Sequence, residues 1–110
     1  MERKKEFTLG SFEELVLRAI IKCRNNAYGN PIRKQLEEAT GRTVTVGALY
    51  ATLDRLKEKG FINYRVAEGG EEREGRPKRY YSIDNAGRQA LMEAEKVRTS
   101  LVPNLKTALA

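Results

Sequence analysis

Apolar residues in this chain recur at two periods, and the changes between them divide it into helix, helix, helix, hairpin and helix. In the first segment Phe12, Leu15, Val16, Ala19, Ile20 and Cys23 fall at the offsets of one helical face. Ser11-Phe-Glu-Glu14 has the spacing of a capping box, which predicts a helix starting at Ser11. Leu17 and Ile21 stand off that stripe, so a second buried face is expected. Arg24-Asn-Asn26 ends the helix. The second helix is predicted from Asn30 as cap and Pro31 at the first helical position. Its inward stripe is narrow, made of Ile32, Leu36 and Ala39, and Gly41 closes it. Thr45 caps a third helix that runs to about Lys59, with Leu49, Leu53 and Leu56 facing inward.

The period then drops to two. Phe61-Ile-Asn-Tyr-Arg-Val-Ala67 alternates as a strand, with Ile62, Tyr64 and Val66 on one face. Residues 68–78 hold Gly69, Gly70, Gly75 and Pro77 among charges of both signs and read as a loop. Arg79-Tyr-Tyr-Ser-Ile83 is the second strand, paired with the first as a long-tipped hairpin. Asp84 caps the last helix, in which Ala86, Ala90, Ala94, Val97, Leu101 and Leu105 recur every three or four residues, with Leu91 beside them. That seam resembles a coiled-coil face. Pro103 ends or kinks the helix near Val102, and the segment from Leu105 onward frays.

Composition narrows the chemistry. The 110 residues point to one domain with one small core. No apolar run approaches the length of a membrane span, and no secretory signal is visible behind the charged N-terminus. The lone Cys23 excludes an internal disulfide, which fits a reducing cytoplasm. With no histidine there is no Ser-His-Asp or Cys-His couple and no His/Cys metal cluster, so no enzyme, metal or cofactor is expected. Glu13-Glu14 and Glu37-Glu38 are adjacent on helices and do not face each other as a carboxylate dyad would. The formal net charge of +6 suits an anionic partner, with nucleic acid foremost.

Three helices followed by a hairpin is the order of a winged helix-turn-helix, in which the third helix is offered to the DNA major groove. The expected fold is mainly α with a small β-hairpin (α+β). Residues 1–84 form the DNA-binding domain, and residues 85–110 form a C-terminal dimerisation helix and tail in the same structural unit. A helical wheel places Gly47, Ala48, Ala51, Asp54, Arg55 and Glu58 on the solvent side of the third helix. Gly47, Ala48 and Ala51 admit close approach to base edges, and Thr45, Tyr50 and Arg55 are placed to hydrogen-bond backbone or bases. An ordinary amphipathic core helix with Tyr50 half-buried would show the same periodicity. The wing loop carries four acids (Glu68, Glu71, Glu72, Glu74) against four bases (Arg73, Arg76, Lys78, Arg79). The acids come early, whereas Arg76, Lys78 and Arg79 cluster about Pro77, where cations reach phosphates or the minor groove. A solvated mixed-charge loop would have the same count. Lys5 in the basic N-terminus is a further candidate phosphate contact. The last seam, about 27 Å long, exceeds what so short a chain can cover, which predicts a two-fold homodimer. Its expected interface comprises Leu17, Ile21, Ala90, Leu91, Ala94, Val97, Leu101 and Leu105.

Several blocks also resemble a known family. Leu9-Gly-Ser-Phe-Glu-Glu-Leu-Val-Leu, Ala27-Tyr-Gly, Val44-Thr-Val-Gly-Ala-Leu-Tyr-Ala-Thr-Leu-Asp-Arg-Leu, Lys59-Gly-Phe-Ile, Gly75-Arg-Pro-Lys-Arg-Tyr-Tyr-Ser-Ile and Ala86-Gly are similar to the PadR-like transcriptional regulators, in continuous order over residues 9–91. The single short final helix resembles the compact branch. The resemblance implies a bacterial or archaeal homodimer, usually a repressor, on palindromic double-stranded DNA. It implies Thr45, Tyr50 and Arg55 at the DNA interface, Arg76 and Lys78 in the wing, and dimerisation through the last and first helices. Departures are Lys57, where the family is often acidic, and Ser82-Ile83-Asp84, where Leu-Thr is usual. The chain also lacks tryptophan, so the aromatic-drug pocket of some compact members does not carry over.

Three functions follow as expectations: a dimeric DNA-binding repressor, a winged-helix module that docks another protein through Asp54 and Glu58, and a sensor that releases DNA on binding a small hydrophobic effector. The effector cleft is expected among Leu17, Ile21, Val97 and Leu101.

Overall fold

The structure is a computed structural model that describes residues 9–67 and 77–110. Helix α1 (Ser11–Cys23) leads through a 3-10 turn (Arg24–Asn26) to α2 (Gly29–Thr40) and α3 (Val46–Glu58). Strands β1 (Ile62–Ala67) and β2 (Lys78–Ile83) pair antiparallel as a hairpin, and α4 (Asn85–Leu101) and the short α5 (Leu105–Leu109) complete the chain. This is the mainly helical winged-helix fold expected from the order of elements. Among the described residues no helix is long and apolar enough to cross a membrane.

The N-cap of α1 is Gly10, not Ser11. The amide of Gly10 donates to Glu13 Oε1 at 2.8 Å, so Glu13 fills the third helical position and performs the reach-back half of a capping box. The Ser-to-Glu spacing slides by one residue because Glu14 is needed elsewhere: it holds Arg18 and Arg98. Glu13 and Glu14 are both buried, as are Val16, Leu17 and Ile20, whereas Leu15 is exposed. The apolar face of α1 is therefore rotated toward Leu17 and away from Leu15.

The N-cap of α2 is Tyr28 rather than Asn30, and the helix makes its first internal bond from Ile32 N to Tyr28 O. Pro31 sits two residues deeper than predicted, still within the first turn, where helical amides lack internal partners and its missing N–H costs nothing. Ile32 and Leu36 are buried, but Ala39 is exposed and drops out of the inward stripe. Gly41 ends α2 at φ 70°, the left-handed geometry glycine adopts without strain. The Glu37 carboxylate then accepts from Val44 N at 2.8 Å and fixes the turn into α3. Thr45 caps α3 as expected, its hydroxyl accepting from Ala48 N at 3.1 Å.

Leu49, Leu53 and Leu56 of α3 meet Val16, Leu17, Ile20, Ile32 and Leu36 in the core, which Ile62 and Tyr81 close from the hairpin. The register places Ile62 opposite Ile83, Tyr64 opposite Tyr81 and Val66 opposite Arg79. Cross-strand partners share a face, so Val66 and Arg79 continue the core side of the hairpin beyond the core itself. Val66 is 57% exposed there.

Asp84 occupies the N-cap position of α4 without a side-chain bond into the helix. Its amide donates to the Phe61 carbonyl at 2.9 Å, and Gly87 packs on that same carbonyl so closely that a Cβ would collide with it. Val102 is the extended residue that ends α4 before Pro103. The expected fray after Leu105 is instead the short helix α5, whose cap Asn104 accepts from Thr107 N at 2.9 Å.

Candidate nucleic-acid interface

Helix α3 is built to keep one side small and dry-facing atoms on the other. Its three inward leucines fix its rotation, and Gly47, Ala48, Ala51, Asp54, Arg55 and Glu58 are all exposed. Thr45 spends its hydroxyl on the cap and so holds the first turn of α3 in register with the preceding loop. Tyr50 is 38% exposed and lies across the first residue of α2, Gly29. Gly47, Ala48 and Ala51 thus lie on the first half of α3, with Tyr50 beside them.

Arg55 is tied back toward the domain. Its Nε lies 3.4 Å from Glu13 Oε2, and Nη2 donates to Thr52 Oγ1 at 3.1 Å. Its side chain nonetheless stays 54% exposed. Lys59 holds the same carboxylate more firmly, with Nζ 2.8 Å from Glu13 Oε1. Burial raises the Glu13 pKa, but the Gly10 amide, Lys59 and Arg55 outweigh it and hold this carboxyl below its usual range. Glu13 is thus a counter-charge held ionised into mild acid, beside which Arg55 lies along α3.

The two wing cations stand on opposite faces. Neighbours along a strand alternate, so Lys78 and Arg79 diverge. The Arg79 guanidinium stacks 4.7 Å from the centre of the Tyr64 ring on the core side, and Lys57 Nζ approaches that ring at 5.8 Å. Lys78 Nζ stacks 4.0 Å from the Tyr28 ring on the other side. Tyr81 is buried on the core face, its ring 5.5 Å from that of Tyr64, and its hydroxyl has no well-aligned hydrogen bond among the described residues. Burial pushes this phenol up in pKa, against the pull of the nearby Arg79 charge. Lys5 and Arg76 lie outside the described residues.

Two further cations, not among the expected contacts, stand on these elements. Arg42 is exposed in the turn that leads into α3. Arg65 stacks 4.8 Å from the Tyr80 ring and extends the basic outer face of the hairpin.

The residues expected at a dimer contact divide into two groups. Leu17 and Ala94 are fully buried within their own chain, which removes them from the outer surface. Leu17 is covered because α1 presents that face to α3 and the hairpin, and Ala94 because α4 lies against α1. Ile21, Leu101 and Leu105 are exposed, and Ala90, Leu91 and Val97 are half-buried. Ion pairs bind α4 to α1: Arg98 reaches Glu14 at 2.8 Å, and Arg18 joins Glu14 at 3.0 Å and Glu95 at 2.8 Å. The Arg98 hydrogen bond, with help from Arg18, lowers the Glu14 pKa against the effect of burial.

The expected ligand cleft is not formed by its four residues. Leu17 is inside the core, and of the four only Ile21 lines a groove beside α1. That groove, of about 580 Å³, runs between α1, β2 and α4, lined by Ile20, Ile21, Ile83, Leu91 and Met92 together with Arg24 and Arg88.

Comparison with known proteins completes the description. The model of the transcriptional regulator PadR-like family matches residues 16–93. A PadR-like transcription factor from Bacteroides fragilis is 27% identical, with TM-score 0.70 over 90% of this chain and 90% of its own. A PadR family transcriptional regulator from Eggerthella lenta is 26% identical, with TM-score 0.68 over 91% of this chain and 82% of its own. RosR of H. salinarum is 27% identical, with TM-score 0.69 over 90% of this chain and 83% of its own. No curated protein sequence matches the chain significantly.

Proposed function

Since this chain belongs to the transcriptional regulator PadR-like family, we propose that it acts as a homodimeric repressor that binds palindromic double-stranded DNA in the cytoplasm of a prokaryotic cell. Family members are transcriptional regulators and not enzymes. The observation that carries DNA binding is the start of α3: exposed Gly47, Ala48 and Ala51, a capped first turn at Thr45, and Tyr50 and Arg55 flanking them. A surface without side chains larger than alanine at its centre lets a helix settle into a groove, and flanking polar groups take phosphates. Lys78 and Arg79 reach out from the two faces of the wing, with Lys5 and Arg76 as further cations.

Dimerisation is supported by the exposed apolar residues Ile21, Leu101 and Leu105, with Ala90, Leu91 and Val97 beside them. Two-fold symmetry would set two copies of α3 about one helical turn apart on the duplex. Release by a small hydrophobic effector is supported by the groove between α1, β2 and α4, which adjoins the helix that would carry the dimer contact.

Selection of bound sequences from random duplex tests this reading. A palindromic site with two half-sites is the expected result, with affinity falling steeply as salt rises. Equal affinity for all duplexes would refute it. The exposed acids Asp54 and Glu58 on the far half of α3 support a second reading, a protein-docking module. That reading predicts a DNA-independent partner lost on Asp54→Lys, with no sequence preference in the selection.

A further inference from the structure

We propose that the three residues Ala27, Tyr28 and Gly29 form a clamp that sets the angle of the wing relative to α3, with Tyr28 and Gly29 as positioning residues and not DNA contacts. The clamp deepens the DNA-binding reading and rests on it for its purpose, though not for its existence.

Ala27 and Tyr28 both hold β2, by backbone and by ring, and Gly29 meets α3. The carbonyl of Ala27 accepts from Tyr81 N at 2.8 Å, which pins β2 to the start of α2. The ring of Tyr28 lies between Lys78 Nζ, 4.0 Å from its centre, and the Tyr80 ring, 5.3 Å away and tilted by 58°. Arg65 caps Tyr80 at 4.8 Å, so a cation–ring–ring–cation stack runs from the α2 N-cap across both strands. Gly29 is buried beneath Tyr50: a Cβ at this position would collide with Tyr50 Oη and lie 3.1 Å from Cζ. Backbone, ring stack and close approach therefore converge on consecutive residues, and they join the wing to α3 through the start of α2.

Cation–π and tilted aromatic contacts are directional, so a stack of four resists rotation of the hairpin more than an apolar patch of equal area would. A two-stranded hairpin is marginal by itself, and its outer half here extends past the core, as the exposure of Val66 shows. The stack is what orders this outer half before DNA arrives. Ordering it beforehand removes an entropic cost from binding.

Two measurements test the clamp. Amide hydrogen exchange of the free protein at Arg65, Ala67 and Tyr80, whose pairs fall in step with the hydrogen-bonded pair Phe61 and Asp84 along the ladder, needs no DNA. It should speed up on the order of tenfold in Tyr28→Leu, the factor that loss of one such contact gives, and stay unchanged in Tyr28→Phe, which keeps the ring. Arg65→Leu, which opens the stack at its exposed end, should raise exchange in the same direction and guards against a Tyr28→Leu variant that does not fold. The second measurement is affinity against salt, on a duplex recovered by random-sequence selection. Tyr28→Leu should weaken binding at every salt concentration, because the wing must then be ordered on binding. Gly29→Ala should weaken it by displacing Tyr50. Unchanged wing exchange in both Tyr28→Leu and Arg65→Leu would overturn the clamp. So would weakened binding in Tyr28→Phe with wing exchange unchanged, since that makes the Tyr28 hydroxyl a direct contact. If the wild type selects no duplex while exchange responds as expected, the DNA reading fails and the clamp stands.

Discussion

Leu17 separates two accounts of α1. Placed by periodicity alone, it belongs to an outer face that meets a second copy. In the structure it is fully buried in its own chain. Truncation to alanine in a rigid core loses the transfer free energy of the removed atoms and leaves a cavity, together about 3–5 kcal/mol for a leucine with no exposure. Ile21 is 54% exposed on the same helix. Its truncation should cost a lone protomer under about 1 kcal/mol, but in a two-fold contact it is removed twice, for roughly 2 kcal/mol and a dissociation constant raised about thirtyfold. Urea unfolding at two protein concentrations far apart, paired with sedimentation, resolves the two. Leu17→Ala should lower unfolding free energy by the full amount at both concentrations while leaving the dissociation constant of folded protein near that of the wild type. Ile21→Ala should do the reverse. Should Leu17→Ala instead weaken self-association and spare unfolding stability, the packing of α1 described above is wrong.

Gly87→Ala should cost about 1–3 kcal/mol by forcing α4 off the Phe61 carbonyl, read as a lowered urea midpoint. Thr45→Ala should lose about 1 kcal/mol of cap stabilisation and also weaken DNA binding, since the first turn of α3 would fray where it meets the groove. Both Glu13 and Glu14 have depressed folded pKa values, so the unfolded chain binds more protons than the folded one in mild acid. Their contribution is full above the unfolded value near 4.5 and is lost as pH falls through the folded values. Urea midpoints measured against pH should show this rise, and Glu14→Gln should reduce its amplitude. Arg55→Ala should barely alter folding, because its pair with Glu13 is long, exposed on one side and backed by Lys59. In DNA binding it should flatten the salt slope by about 0.9 if it meets one phosphate.

Much of α3 was legible because its signals are local. Leu49, Leu53 and Leu56 repeat on one face, Thr45 caps from the adjacent position, and the exposed Gly47, Ala48 and Ala51 follow from the same wheel. The errors arise where one local signal admits two solutions. A capping motif at Ser11 can slide to Gly10 because Glu13 and Glu14 are interchangeable at short range. Only their distant partners, Lys59 for one and Arg98 for the other, decide between them. The burial of Leu17 likewise depends on how α1 meets α3 and the hairpin, which no window of α1 contains. The opposite facing of Lys78 and Arg79 was readable in principle from strand alternation, but it is hidden when the return of the wing is treated as loop. Tyr28 and Tyr80 are far apart in sequence, and each alone reads as an ordinary aromatic.

Net charge is a poor guide to the interface for a physical reason. An excess of six positive charges says nothing of which cations are already engaged. Glu13 and Glu14, buried on α1, each gather two cations, and those four (Arg55 and Lys59, Arg18 and Arg98) are drawn to the framework first. Removing a buried acid would therefore not simply add positive field for DNA. It would release cations whose present task is to hold α3 and α4 to α1. Arg55 alone among the four lies beside the small outer face of α3, where the long contact to Glu13 leaves its guanidinium more than half exposed. The exposed basic groups outside these pairs include Arg42 in the turn, Arg65 on one side of the wing and Arg79 on the other, with Lys78 half-buried against Tyr28. They lie on elements joined by the Tyr28 stack or by the turn into α3. A field that binds phosphate at fixed spacing depends on that rigidity as much as on the charge it displays.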